Sequence, residues 1–223
     1  MAVIIGTLVL QPDIGMTLMV VLTWGFQMFL AGMPMLLVIC IGALAPRGLV
    51  VAYFTLGHVH KRINQFWEGG AWQVEKARDS FANGGLFGVG PGDGTVKHHL
   101  PDAHSDFIFA VAGEEFGALA CLTLLTLYAF IVLRGFSRAM SDEGLFCLIA
   151  SASLLLQFGV QAAIHMASSV HLIPTKGMPL PLISYGGSSL VASGLTMGLI
   201  LALTRRRAPY VLPGRRNLQK ALS

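Results

Sequence analysis

Charge is scarce in this 223-residue chain: Asp, Glu, Lys and Arg make up 12% of it, about half the share of a soluble domain. With 54% hydrophobic residues and a mean hydropathy of +0.69, an ordinary soluble surface is excluded. Cysteine is scarcer still. Cys40, Cys121 and Cys147 lie in apolar stretches with no paired spacing, which argues against a zinc site or disulfide framework and for small core residues. No internal repeat or low-complexity tract occurs. Residues 1–10, MAVIIGTLVL, lack the basic flank and small-residue cleavage site of a secretory signal, and read as the end of a membrane span.

Long apolar runs are what the chain does have. Charged residues cluster in 57–106, 134–143 and after Thr204, leaving stretches long enough to cross about 30 Å of hydrocarbon. Lipid-exposed backbone must bond internally, so these stretches predict helices at 14–31, 34–56, 107–133 and 145–170, with a last one ending at Thr204. The fold expected is all-α and integral to the membrane: a polytopic helical bundle with about five transmembrane helices and one large structured extracytoplasmic loop, 57–106, within a single membrane domain, 1–223. Pro46 and Arg47 predict a kink and a cation at membrane depth. Short interfacial helices anchored by Phe66, Trp67 and Trp72 are expected in the loop. The net charge of +4 does not point to nucleic acid, because six basic residues directly follow the last apolar run. The tail, 205–223, reads as a cytoplasmic basic anchor on membrane lipid.

The run LPDAHSDFIFAVAGEEFG at 100–117 places Asp106 where a hydrophilic loop enters an apolar helix. Beside His98, His99, Asp102 and His104, that carboxylate suits a general base. Spacing alone favours an N-cap instead, with Asp106 or Ser105 accepting orphan backbone N–H groups. Glu114 and Glu115, two turns deeper, require polar partners, either between helices or in a cavity. Gln161 and His165, one turn apart on the same face, predict a buried hydrogen-bonded patch between helices. Lys176, rigidly held in PTKG, suits a phosphate as a point charge, although composition alone favours a plain interfacial lysine. The glycine-rich GGLFGVGPGDG at 84–94 lacks the ending of a nucleotide loop and predicts tight turns with close backbone approach. SYGGSS at 184–189 places small residues and outward N–H groups at a helix entry. Neither His58 with His60 nor His98 with His99 has a metal signature, so no metal ligand is assigned.

Three segments occur in order: QPDIG at 11–15, GLFGVGPGDGTVKHHLPDAHSDFIFAVAGEEFG at 85–117 and LIPTKGMPLPLISYGGSSL at 172–190. Through them the chain resembles the C-terminal half of a SEDS protein, the shape, elongation, division and sporulation family of peptidoglycan polymerases. Its wording is nearer the FtsW-like division branch than the RodA-like elongation branch. The resemblance implies a glycosyltransferase at the outer face of the bacterial inner membrane, at the division septum with its catalytic loop in the periplasm, polymerising lipid II into glycan strands. Asp106 matches the catalytic aspartate of the family's LPExHTDF motif, which favours the base over the cap. Lys97, His104, Lys176, Ser188 and Arg62 are then substrate-binding candidates, and Glu114, Glu115, Gln161 and His165 structural or cavity polar groups. No cofactor is certain, with a divalent cation as an option. The expected partners are lipid II, a class B penicillin-binding transpeptidase and other divisome proteins, and no nucleic acid. A lipid II flippase and a non-catalytic divisome scaffold are the alternatives. The chain departs from the family pattern in Asp102 and Ser105 for the usual Glu and Thr, in His165 for the usual Asn, and in Arg47 within a usually apolar helix.

Overall fold

The computed structural model of the chain describes residues 14–34, 72–100, 102–141, 144–174 and 177–205, with isolated positions at 4, 7, 8 and between 36 and 64. The elements are α1 (Ile14–Leu30), α2 (Trp72–Gly84), a 3-10 turn (Val96–His99), α3 (Ile108–Ala139), α4 (Leu145–Ser169) and α5 (Gly187–Leu203). Among the described residues there is no strand. Helices α3 and α4, of 32 and 25 residues, are long and apolar enough to cross a membrane. Helices α1 and α5, of 17 residues each, sit at the lower limit for a span, about 25 Å long. Most of the helix expected at 34–56 lies outside the described residues, as do Arg62, Phe66, Trp67, Lys176 and the tail beyond Arg205. Of the predicted interfacial anchors Trp72 is described, exposed at the start of α2.

The bundle is apolar outside and partly polar inside, as a lipid environment demands. Phe130 and Leu133 on α3 are 64% and 67% exposed, while Ser151, Ser153, His165 and Ser169 on α4 are buried. Those serines are satisfied within their own helix: Ser151 Oγ donates to Cys147 O and Ser153 Oγ to Ile149 O, each at 2.6 Å. Small residues bring α3 and α4 together, since a Cβ at Gly135 would stand 2.4 Å from Leu155. The central cluster joins Phe109, Cys121 and Tyr128 of α3 to Phe158, Ala162 and Met166 of α4, and to Leu180 of the following loop. A second cluster, including Ala77, Leu100, Phe107 and Val111, lies under α2 and the 3-10 turn. Of the three cysteines expected in the core, Cys121 is buried, Cys40 exposed and Cys147 half-buried.

The expected span at 107–133 is longer and is broken. Gly117 has φ 82° and ψ 178°, outside helical space, and the glycine-rich segment from α2 fills the break. Ala118 N–H donates to Gly85 O at 2.9 Å, Val89 N–H to Glu114 O at 3.0 Å and Gly90 N–H to Glu115 O at 3.1 Å. The segment thus supplies backbone partners that the interrupted helix lacks. The glycines do make tight turns, with positive φ at Gly85, Gly88, Gly90 and Gly92. The surface they approach is the backbone of α3.

Candidate active site at the mouth of α3

Asp106 follows a tight local turn. Asp102, at φ 53°, presents a carbonyl that accepts Ser105 N–H at 3.1 Å, Asp106 N–H at 2.9 Å and Ser105 Oγ at 3.2 Å. The helix then begins after Phe107, which is its N-cap and supplies no side-chain bond. The capping role open to Asp106 and Ser105 is therefore not taken up: the Ser105 hydroxyl turns back to Asp102. Among the described residues no donor bonds the Asp106 carboxylate, which is half-buried. Burial raises its pKa above the ordinary carboxylate range, and the negative charge of Asp102 raises it further.

A roof over Asp106 is formed by the loop between α4 and α5. Gly177, at φ +60°, lies against the carboxylate. The roof is tied down by side chains bonding its carbonyls: Gln161 Nε2 donates to Pro179 O at 2.9 Å, His165 Nδ1 to Met178 O at 2.7 Å and the Tyr128 hydroxyl to Pro181 O. A carbonyl only accepts, so Nδ1 of His165 carries the proton. Gln161 and His165 share one face of α4, and both bond the loop because the carbonyls of Pro179 and Met178 lie over that face. Two rungs join the roof to the Asp106 segment, Tyr185 N–H to His104 O at 2.9 Å and Ser184 Oγ to Ser105 O at 2.7 Å. Beside them a shallow cleft of about 240 Å³ opens between His104, Ile108, Ile183 and Tyr185.

The two glutamates serve the outer loop. Glu114, fully buried, accepts Asn83 Nδ2 at 2.9 Å, Val96 N–H at 2.8 Å and Lys97 N–H at 2.9 Å. Its carboxylate thereby caps the 3-10 turn and ties it to α2. The Lys97 ammonium pairs with Glu115 and donates to Gly92 O at 3.1 Å. His104 and Ser188 are exposed. Among the described residues no three of His, Cys, Asp and Glu converge as metal ligands.

Asp106, His104, Gly177 and Ser184 are thus brought together, whereas Lys97, Glu114 and Glu115 form a separate group. Sequence reasoning missed Gly177, Ser184, Tyr128 and Asn83. Gly177 and Ser184 had a signal, lying inside PTKG and ISYGGSS, but which segment they would face depends on tertiary packing.

The sequence pattern of the cell cycle protein family FtsW/RodA/SpoVE matches residues 1–208. The chain is 43% identical over 206 residues to the probable peptidoglycan glycosyltransferase FtsW of Caulobacter vibrioides, covering 91% of this chain and 53% of that protein. It is 34% identical to the protein of the same name from Legionella pneumophila, over 91% of this chain and 54% of that one. Among solved structures it resembles a chain from a peptidoglycan synthase complex in which polymerization and crosslinking are coordinated, with a TM-score of 0.70 and 26% identity, over 92% of this chain and 60% of that one. It also resembles a mutant of the rod shape determining protein RodA of Thermus thermophilus, with a TM-score of 0.59 and 26% identity, over 92% of this chain and 55% of that one. The chain spans about half the length of the curated relatives it matches. By the extent of that family match and by its identity to the FtsW proteins, the chain belongs to the FtsW/RodA/SpoVE family of membrane proteins.

Proposed function

We propose that this chain is the C-terminal part of a peptidoglycan glycosyltransferase that polymerises lipid II during septal wall synthesis, with Asp106 as its general base. The observation that carries the reading is a half-buried carboxylate without a hydrogen-bond donor among the described residues, standing where an apolar helix meets a polar loop. A carboxylate with no donor among the described residues is ready to accept a proton from substrate, and its raised pKa makes it a better acceptor near neutral pH. The names of the relatives support the same activity.

In this mechanism the acceptor sugar hydroxyl gives its proton to Asp106 as its oxygen attacks the anomeric carbon of the lipid-linked donor. The bond from that carbon to the pyrophosphate breaks, polyprenyl pyrophosphate leaves, and the anomeric centre inverts. The proton remains on Asp106. Negative charge growing on the leaving group calls for cations placed beforehand, a role we assign to Lys176 and Arg62. Lys97 is already engaged by Glu115 and Gly92 O. His104 and Ser188, both exposed, are assigned to the substrate's polar groups.

A transport path for lipid II would need ionisable groups free inside the membrane. Glu114 and Glu115 instead bond Asn83, Val96 and Lys97 of the outer loop, which favours chemistry at the outer face over translocation. Likeness to a chain of a complex that coordinates polymerization with crosslinking supports a class B penicillin-binding transpeptidase as partner. The loop carrying Asp106 then faces the periplasm. The test is lipid II polymerisation by the full chain with its transpeptidase, against the Asp106→Asn variant. Loss of polymer with retained transpeptidase binding supports the enzyme, and retained polymer removes Asp106 as the base.

A further inference from the structure

Ser184 is 2% exposed, and its hydroxyl is used in both directions. It accepts Leu180 N–H at 2.7 Å and donates its proton to Ser105 O at 2.7 Å. The Ser184 N–H in turn bonds Leu180 O at 3.0 Å, so the turn 180–184 is closed twice around one side chain. The next residue, Tyr185, donates its N–H to His104 O. Roof and base segment are therefore joined at two consecutive carbonyls, His104 and Ser105, immediately ahead of Asp106. Of these rungs, the one nearer Asp106 depends on a side chain.

Resting on the reading of Asp106 as the base, we propose that Ser184 is its positioning residue: the hydroxyl clasps the roof to the Asp106 segment and so sets how far water is kept from the carboxylate. The chemistry is local. Without the hydroxyl, Leu180 N–H and Ser105 C=O are left unpaired in a buried place, which drives the two segments apart so that water can reach them. Gly177 then lifts from Asp106, whose carboxylate becomes more hydrated and less precisely held.

Hydration is readable because few other charges among the described residues act on Asp106; Lys176, next to Gly177 in sequence, lies outside them. Asp102, on its own segment, is the charged group whose field reaches it. The roof from Gly177 to Ser184 has no titratable side chain, and neither do α1 and α5; the titratable neighbours beside them are His104, on the Asp106 segment, and Tyr185, at the end of the roof, which line the cleft together. From α4, His165 is turned to Met178 O, while Glu114 and Glu115 of α3 are engaged by the outer loop. Loosening the roof therefore lowers the Asp106 pKa toward the ordinary carboxylate value, because the burial that raised it is relieved.

The experiment is the pH profile of lipid II polymerisation by the full chain with its transpeptidase, for wild type, Ser184→Ala, Asp106→Asn and Ser153→Ala. Ser153 is a control, a buried serine bonded within its own helix. Ser184→Ala is expected to lose about 10- to 100-fold in kcat, to keep KM for lipid II within about threefold, and to shift its acidic limb to lower pH. Ser153→Ala, if it loses activity, keeps the wild-type limb. Should Ser184→Ala not accumulate, Ser184→Cys keeps the volume with a weaker donor and is read by the same limb. An unmoved limb in the Ser184 variant beside an inactive Asp106→Asn overturns the positioning role alone. An active Asp106→Asn overturns the base reading, and this inference with it.

Discussion

Gly177 lies flat against Asp106: a Cβ at this position would stand 3.1 Å from Oδ2, and the backbone there is at φ +60°. Gly177→Ala therefore meets two obstacles, a left-handed conformation costing about 1–2 kcal/mol for a residue with a Cβ and a methyl pressed on the carboxylate. The variant is expected to fold, with a lowered Tm, and to lose about 10-fold or more in polymerisation rate. Thermal unfolding in detergent beside the rate measurement checks this; a rate loss no larger than that of an equally destabilised distant variant contradicts it.

Glu114 is the peg of the outer loop. Glu114→Ala leaves Val96 N–H, Lys97 N–H and Asn83 Nδ2 without their acceptor, which costs about 3 kcal/mol or more. The 3-10 turn should then detach from α2. Limited trypsin digestion reads this directly, with early cleavage expected after Lys97 in the variant and protection in the wild type.

Gly117 admits no side chain. A Cβ there would stand 2.4 Å from Leu86 O and 2.5 Å from Gly88 N, both backbone atoms, at a φ/ψ combination that is essentially glycine's alone. Gly117→Ala is expected to cost about 3 kcal/mol or more and to reduce the folded protein recovered from membranes. Wild-type yield and thermal stability would contradict the account of the helix break.

The raised pKa of Asp106 fixes the sign of its effect on stability. A carboxyl with a folded pKa above its unfolded one holds its proton better when folded, so its contribution is fully present below the unfolded pKa and is lost as pH rises through the folded one. At neutral pH the ionised group is destabilising. Asp106→Asn should therefore keep or raise Tm at neutral pH, with the advantage shrinking in acid. Unfolding curves from acid to neutral pH check this, and a variant less stable at neutral pH contradicts it.

Helix positions were largely legible because uninterrupted apolar runs leave few other structures: 14–31 became Ile14–Leu30 and 145–170 became Leu145–Ser169. The break at Gly117 was not, since AVAGEEFGALA reads as continuous helix and its interruption depends on Gly85 and Leu86 docking from about thirty residues away. Asp106 stood out as a carboxylate at a helix mouth. Its roof did not, because contacts between 104–106 and 177–185 join segments that adjoin only after α3 and α4 pack. For Gln161 and His165, helical spacing gave the shared face, while their partners, the carbonyls of Pro179 and Met178, come from a loop whose position depends on tertiary packing.

Lipid II polymerisation by the full chain with its transpeptidase, wild type against Asp106→Asn, tests the central claim most directly. The substitution preserves shape and removes the proton acceptor, so the account predicts that polymer disappears while the variant stays folded and bound to its partner. Polymer formed at a wild-type rate by Asp106→Asn would contradict it.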